Sequence, residues 1–152
     1  MKLPIELNKT YIFELKTPRF GALQKEEVIK IFKDGRYASP FLERQLPLWF
    51  DGLTHITGNK PYDLVDEQGR KYDAKNFTSN GLKFMPSGQI GTGRKYDPDK
   101  CRKKIEENKM TYIACDITEF PKVRVRFLDG SELLKKYPKA QVMFKDREVL
   151  FG

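Results

Sequence analysis

Asp63, Asp73 and Lys75 bring two carboxylates and an ammonium group into one short segment of the chain. The segment predicts a β-hairpin, because Gly69 can adopt the left-handed conformation that a three-residue turn requires. With residues 67–69 as the turn, Asp63 lies opposite Asp73 across the two strands. Side chains alternate between the faces of a strand, so Lys75 projects on the same face as Asp73. The hairpin therefore collects all three groups on one face.

Two carboxylates that face each other require a partner of opposite charge. Like charges opposed across a sheet destabilise it, and Mg²⁺ offsets them because it binds carboxylate and backbone oxygens and keeps several waters. A metal ion at this position polarises a phosphate oxygen and lowers the pKa of a bound water. Lys75 is suited to orient or help deprotonate that water and to offset negative charge on the phosphate. The alternative interpretation is a solvated surface salt bridge among the same groups.

The spacing of these residues resembles the active-site motif of the PD-(D/E)XK nucleases, the family that includes many restriction endonucleases. Asp63 is followed after nine residues by Asp73-Ala74-Lys75, and both acidic positions fall on predicted neighbouring strands joined by a tight turn. The chain departs from the motif at Tyr62, which directly precedes Asp63 where the motif has proline; the chain has proline one place earlier. Upstream, residues 31–35 and 52–54 also resemble a restriction endonuclease, so that the local likeness covers residues 31–76.

The resemblance implies a restriction-endonuclease-like fold of the α/β (α+β) class, with a central mixed β-sheet flanked by helices. It also implies a homodimer that cuts both strands of duplex DNA and uses Mg²⁺. Asp63 and Asp73 are then metal ligands, the carbonyl of Ala74 is a further ligand, and Lys75 is the catalytic lysine.

Two more acidic residues upstream of the motif gain a role from the resemblance. Asp34 matches a position that approaches the DNA minor groove in a similar enzyme, although an acidic residue after a helix is often a simple terminator. Glu43 lies in a predicted helix, and many relatives use a helix glutamate as an extra metal ligand or as a group that supports the ligands. The alternative for Glu43 is an ordinary exposed residue on a helix surface.

The glycine-rich segment 88–95 does not form a nucleotide-binding P-loop. That motif requires lysine and then serine or threonine after its last glycine, and a strand directly before it. Here Arg94 and Lys95 follow Gly93, so no nucleotide cofactor is expected. We expect a DNA-binding loop in which Ser87, Thr92, Arg94 and Lys95 contact the backbone or base edges, with a plain surface loop as the alternative.

The net charge of +8 and the sequence pI near 9.4 favour a polyanionic partner. A basic surface that merely aids solubility is the alternative. Arg102, Lys103 and Lys104 on a later predicted helix extend the basic surface, although such a run is typical of a solvated helix face. The single histidine, His55, excludes zinc sites and HNH-type nucleases, which need more imidazoles, and is itself typical of a surface or packing residue.

The whole chain, residues 1–152, predicts one domain, with no internal repeat. Expected helices and strands alternate around a mainly β centre, with Asp97-Pro98 opening a charged helix and Ser39-Pro40 opening an earlier one. Residues 78–93 are expected to be loop. The expected helices are 24–32, 39–49, 97–108 and 131–136, and the expected strands are 11–15, 62–66, 70–75, 110–117, 122–127, 141–144 and 148–151.

The sequence contains no segment typical of a membrane or secreted protein. No apolar run approaches the roughly 18 residues that span a bilayer, and no secretion signal is evident, so we expect a cytoplasmic protein that makes no membrane contact. Cys101 and Cys115 are expected to be reduced structural thiols. A phage, homing or repair nuclease or a junction resolvase of the same fold, and a non-catalytic nucleic-acid-binding protein, are the alternatives to a restriction-like enzyme.

Overall fold

The structure is a computed structural model that describes residues 1–16 and 19–152. The described elements begin with a strand and end with a helix, and helices interrupt the strands between them. The helices are α1 (Lys25–Phe32), α2 (Gly35–Trp49), α3 (Pro98–Asn108), α4 (Gly130–Lys136) and α5 (Arg147–Phe151). The strands are β1 (Thr10–Glu14), β2 (Thr54–His55), β3 (Leu64–Val65), β4 (Lys71–Phe77), β5 (Leu82–Lys83), β6 (Thr111–Asp116), β7 (Lys122–Asp129) and β8 (Gln141–Val142).

A mixed six-stranded sheet in the order β1-β7-β6-β4-β3-β2 organises the described residues. Its neighbouring strands are antiparallel except for β4 and β6, which run parallel. Parallel strands need a long crossover connection, and α3 lies within the one that joins β4 to β6. Strands β5 and β8 form a separate antiparallel pair. The expected α+β class with a mixed sheet and flanking helices is therefore confirmed.

Apolar side chains fill both faces of the sheet. Along β6, Ile113 and Cys115 belong to one core, and the alternate residues Tyr112 and Ala114 belong to the other. Helix α2 covers the first face and α3 the second, each through residues spaced four apart. These buried helix residues are Ala38, Leu42 and Leu46 of α2, and Cys101 and Ile105 of α3.

Helix α2 begins one turn earlier than the sequence predicted. The expected start at Ser39-Pro40 is wrong because Asp34 caps the helix, its carboxylate accepting a hydrogen bond of 2.9 Å from the backbone N–H of Arg36. Pro40 and Pro47 both lie inside the helix, which continues to Trp49. A side-chain cap that satisfies the first amides thus determines the start, and the proline that looked like a first-turn residue lies within the helix.

The expected structures of residues 148–151 and 78–93 were also wrong. Residues 148–151 were expected to form a strand, but they lie in α5, where Leu150 and Phe151 are buried and Val149 is exposed. A run of three apolar residues does not distinguish the two structures. The expected loop of residues 78–93 contains β5, whose partner β8 lies far away in the sequence. Pairing between such distant segments leaves no local pattern.

A buried carboxylate at the end of β6 anchors the C-terminal helix. Asp116 is almost fully buried and accepts hydrogen bonds from Thr118, from Arg124 at 2.9 and 3.0 Å, and from Arg147 at 2.9 Å. Burial by itself raises the pKa of Asp116, but these hydrogen bonds outweigh burial and hold the pKa below its ordinary value. Arg124 also pairs with Glu148 of α5 at 3.0 Å. The network therefore joins α5 to the sheet.

Both cysteines are free thiols. Cys101 of α3 and Cys115 of β6 are completely buried, as expected for structural thiols. Burial raises the pKa of Cys115 to about 12, so its thiol remains protonated near neutral pH.

Candidate active site

The predicted hairpin is confirmed, with the predicted register. Leu64 of β3 pairs with Tyr72 of β4, and Val65 pairs with Lys71. The backbone N–H of Asp63 donates to the carbonyl of Tyr72 at 2.9 Å. This bond is one residue out of step with the register of β3 and β4, so Asp63 faces Tyr72 and lies diagonally from Asp73, whereas the sequence predicted that the two aspartates lie directly opposite each other. The two residues are still close, because Oδ2 of Asp63 accepts the backbone N–H of Ala74, the residue after Asp73.

The hairpin turn is held by the side chain of Asp66. One carboxylate oxygen accepts the backbone N–H groups of Gln68 and Arg70 at 3.0 and 2.9 Å. The other accepts Arg70 Nε at 2.6 Å and the Tyr72 hydroxyl at 2.8 Å. Burial raises the pKa of Asp66, but these hydrogen bonds outweigh it and keep the pKa below its ordinary value. With Gly69 at a φ of 77°, the turn fixes the register in which Val65 pairs with Lys71 and Leu64 with Tyr72.

Asp73 is a buried carboxylate beside two lysines. Its Oδ2 atom lies 3.2 Å from Nζ of Lys75 and 3.9 Å from Nζ of Lys104 on α3. Neither contact has hydrogen-bond geometry, and Oδ2 has no hydrogen-bond partner in the described part of the chain. A buried oxygen without a hydrogen-bond partner carries an energetic cost and is a position where an additional cation or donor fits.

The pKa of Asp63 is raised by burial and by the nearby Asp73. Oδ2 of Asp63 accepts the backbone N–H of Ala74 at 3.2 Å. Burial raises the pKa of Asp63 to about 8, assisted by the adjacent carboxyl group and negative charge of Asp73 and by the charge of Glu43. Three acidic groups are thus concentrated at this point of the sheet, with too little positive charge nearby to keep Asp63 ionised near neutral pH.

Glu43 reaches the site from α2, and His55 lies beside it. Oε2 of Glu43 lies 3.5 Å from Nε2 of His55, and both side chains are mostly buried. His55 belongs to β2, the strand beside β3, so the pair connects α2 to the edge of the sheet. The interpretation of His55 as an ordinary surface or packing residue missed this contact, because it joins two segments with no shared local pattern.

These groups line one open cleft of about 520 Å³. The cleft lies where the hairpin, α2 and α3 meet, and both basic and acidic side chains line it. Its lining residues are Ser39, Glu43, Lys60, Pro61, Asp63, Asp73, Ala74, Lys75, Asn76, Pro86, Ser87 and Lys104.

The structure brings only one of the predicted loop contacts to the cleft. Ser87 lines it, whereas Thr92, Arg94 and Lys95 are exposed and do not. The guanidinium of Arg94 donates to the carbonyl of Ser87 at 3.2 Å, so it folds back towards the residue that reaches the cleft. Asp34 is also outside the cleft, where it caps α2 and pairs with Arg36.

The three consecutive basic residues of α3 differ in their exposure to solvent. The side chains of Arg102 and Lys103 are 54% and 72% exposed, whereas that of Lys104 is 22% exposed and lines the cleft. Arg102 pairs with Asp99 at 2.6 Å along the helix surface. The sequence identified the run but gave no reason to distinguish Lys104, whose environment depends on how α3 crosses the sheet.

The donor atoms fit Mg²⁺ better than a metal held by side chains alone. Across residues 1–16 and 19–152, no group of three or more His, Cys, Asp or Glu side chains could hold a metal ion. Mg²⁺ needs only one or two carboxylates, because it retains waters and binds substrate phosphates. Asp63, Asp73 with its unpartnered Oδ2, and Ala74, which lines the same cleft, provide oxygen donors of that kind.

The sequence and the fold were compared with those of known proteins. No protein-family model matches the chain, and no curated protein or solved structure matches it significantly. None of the helices in residues 1–16 and 19–152 combines the length and the apolar character that crossing a membrane requires.

Proposed function

We propose that this protein is a Mg²⁺-dependent endonuclease that hydrolyses phosphodiester bonds in double-stranded DNA. The observation that supports the proposal is the arrangement of Asp63, Asp73 and Lys75 in one cleft, on a hairpin that brings the two carboxylates close together. The spacing of these residues resembles the PD-(D/E)XK motif, and the mixed sheet flanked by helices is compatible with a restriction-endonuclease-like fold.

Asp63 and Asp73 are the proposed metal ligands, with the carbonyl of Ala74 as a third oxygen. When bound, Mg²⁺ polarises a phosphate oxygen and lowers the pKa of a bound water. The unpartnered Oδ2 of Asp73 and the raised pKa of Asp63 support this role, because both describe carboxylates that lack sufficient positive charge. Glu43, in contact with His55, is the proposed group that adds negative charge beside the ligands.

Lys75 is the proposed catalytic lysine. In the hydrolysis, a water oxygen forms a bond to phosphorus, and the bond from phosphorus to one sugar oxygen breaks. The proton that the attacking water loses passes to solvent, and a proton from solvent completes the departing sugar hydroxyl. The ammonium of Lys75, held 3.2 Å from Asp73, orients the attacking water and offsets the charge that develops on the phosphate. Because Lys75 follows Asp73 on the same face of β4, the strand itself fixes the ammonium beside the carboxylate that would hold the metal.

Charge favours DNA as the substrate. The chain carries a net charge of +8, and Lys60, Lys75 and Lys104 all line the cleft. Lysines that neutralise phosphates release condensed counterions, which drives binding to duplex DNA. Ser87 at the cleft, and Thr92, Arg94 and Lys95 beyond it, are proposed to extend the contacts, with Asp34 near the minor groove.

A homodimer is the proposed functional unit. Each chain has one cleft with one set of Asp63, Asp73 and Lys75, which cuts one strand at a time. Two chains related by a two-fold axis place two such clefts on the two strands of a palindromic site. Sedimentation of the protein with and without a short duplex measures the number of chains in the particle. Two chains on the duplex would support the homodimer, and a single chain would contradict it.

The proposal is tested by incubating the purified protein with supercoiled plasmid and phage DNA in Mg²⁺ or EDTA. Asp73→Ala and Lys75→Ala remove the proposed chemistry, and Asp99→Ala and Lys103→Ala are matched controls on exposed positions of α3. We expect discrete Mg²⁺-dependent fragments from the wild type and both controls, and none from the two site variants.

Other outcomes identify the alternatives. Cleavage confined to branched substrates would indicate a junction resolvase or repair enzyme with the same site. No cleavage of any duplex or branched substrate, with DNA binding intact and unchanged in Asp73→Ala and Lys75→Ala, would contradict the nuclease proposal and leave a nucleic-acid-binding protein.

A further inference from the structure

Helix α3 directs one of its lysines into the cleft. Cys101 and Ile105 of α3 are buried in the core on the second face of the sheet. Lys104 directly precedes Ile105, and its side chain lies at the boundary between that core and the cleft. Along β4, Phe77 belongs to the same core, and Asp73 and Lys75 share its face because residues two apart point the same way. Lys104 therefore approaches Asp73 and Lys75 from the helix that covers their side of the sheet.

The contact between Lys104 and Asp73 is loose. The ammonium lies 3.9 Å from Oδ2, beyond hydrogen-bond distance, and Oδ2 remains without a hydrogen-bond partner among the described residues. A lysine selected only to neutralise a buried carboxylate would be expected to hydrogen bond to it. The ammonium of Lys104 instead has donors available for another anion, on a flexible stem that lets it move.

We infer that Lys104 is a second active-site cation, which binds the phosphodiester group of the DNA that enters the cleft. The inference rests on the proposed function. Nζ of Lys75 and Nζ of Lys104 both lie within 4 Å of the same oxygen of Asp73, so one phosphate at this point is within reach of both ammonium groups. Lysine is a common phosphate ligand, acting as a point charge.

Lys75 and Lys104 are positioned by different elements of the fold. Lys75 is fixed by its position on β4, next to the carboxylate that it accompanies. Lys104 comes from a different element, joined to Asp73 only through packing of α3 on the sheet. Lys75 therefore acts on the attacking water, and Lys104 binds and orients the phosphate that the water attacks.

Binding to a short DNA duplex in EDTA, where cleavage is absent, tests the phosphate contact directly. Lys104→Met keeps the length of the side chain and removes its charge, and Lys103→Met is the matched control, with a side chain 72% exposed and paired with Glu107. Each phosphate contact contributes about 0.9 to the slope of log affinity against log salt concentration. We expect Lys104→Met to reduce the slope by about 1, Lys103→Met to leave it unchanged, and Lys104→Arg to restore it.

A double-mutant cycle separates phosphate binding from neutralisation of Asp73. In the Asp73→Asn background the carboxylate charge is gone, so a lysine that acts only through Asp73 has nothing left to neutralise. We expect Lys104→Met to reduce the salt slope by the same amount in this background. Disappearance of its effect there, or an unchanged slope in the wild-type background, would overturn the inference. Circular dichroism of each variant confirms that the comparison is made between folded proteins.

Failure of the inference is distinguishable from failure of the proposed function. A wild type that cleaves DNA, together with a Lys104→Met variant that binds and cleaves equally well, contradicts the role of Lys104 alone. A wild type that never cleaves contradicts the nuclease proposal, whereas the salt slopes still decide whether Lys104 contacts phosphate.

Discussion

Nε2 of His55 lies 3.5 Å from Oε2 of Glu43, so the only histidine of the chain is paired with the helix carboxylate nearest to Asp63. His55 belongs to β2 and Glu43 to α2, and the contact joins two elements on either side of the cleft. A side chain that touches a metal-site carboxylate commonly sets its orientation.

Glu43→Gln is expected to lower Mg²⁺-dependent DNA cleavage by roughly 10- to 100-fold, the usual effect of losing a group that supports metal ligands. His55→Ala is expected to raise the Mg²⁺ concentration that gives half-maximal cleavage, because Glu43 then remains present but unoriented. Titration of cleavage with Mg²⁺ measures both effects, with Glu107→Gln on the exposed surface of α3 as the control. Identical Mg²⁺ titrations for all four proteins would show that the pair has no role in metal binding.

Asp63→Asn is expected to stabilise the metal-free protein. In the wild type, burial and the neighbouring charge of Asp73 disfavour ionised Asp63, whereas asparagine keeps the oxygen that accepts from Ala74. After screening of this partly exposed group, we expect a gain of about 1 kcal/mol, which corresponds to a rise in Tm of roughly 2–4 °C.

Thermal unfolding near pH 8 with EDTA and with Mg²⁺ measures this effect. Mg²⁺ at 100 times its dissociation constant stabilises the wild type by about 2.7 kcal/mol, so the order of the two proteins reverses if Asp63 is a ligand. A lower Tm for Asp63→Asn in EDTA would show that the two neighbouring carboxylates do not destabilise the metal-free protein.

Asp116 predicts a pH dependence of stability that is independent of the cleft. Its pKa is lowered in the folded protein, so its contribution is fully present above the unfolded value near 3.8 and is lost as pH falls through the folded value. At pH 7, Asp116→Asn is expected to cost about 3–5 kcal/mol, because Arg124 and Arg147 lose a buried partner. Urea unfolding between pH 7 and pH 3 should show the difference shrinking only below about pH 4; a difference constant over this range would contradict it.

Asp34 combines an observed structural role with a proposed one, and two substitutions separate them. Asp34→Ala removes the cap of α2 and is expected to cost about 1 kcal/mol of stability. Asp34→Asn retains a good cap and removes the charge, so its stability stays near that of the wild type. Comparison of DNA affinities for the wild type and Asp34→Asn then measures the proposed approach to the minor groove. Equal affinities would leave Asp34 with the capping role alone.

The register of the hairpin was predictable because its causes are local. Gly69 permits the turn that sets the register of β3 and β4, and the alternation of side chains places Lys75 on the same face as Asp73. The offset of one residue at Asp63 was not predictable, because no local pattern in the sequence indicates it. The start of α2 was equally local but was assigned to the wrong cap, because Asp34 and Ser39 are both good capping residues and only the backbone conformation distinguishes them.

Contacts between distant segments were not predictable in the same way. Lys104 and His55 become part of the site through the crossing of α3 over the sheet and the packing of α2 beside β2. Neither residue differs in type or spacing from an ordinary surface residue. The helical conformation of α5 likewise depends on its contacts, among them the pairing of Glu148 with Arg124.

The unequal lengths of β3 and β4 have a consequence for local unfolding. β4 spans seven residues between two neighbouring strands, whereas β3 spans two residues and borders the two-residue edge strand β2. Amide hydrogen exchange should therefore be faster at Asp63, whose N–H bonds to Tyr72 at the end of the ladder, than at Lys75, which lies within the pairing of β4 with β6. An ion bound by both aspartates would connect the short β3 segment, which opens easily, to β4, which does not. Mg²⁺ should then slow exchange at Asp63 far more than at Lys75, giving the two strands a common opening rate.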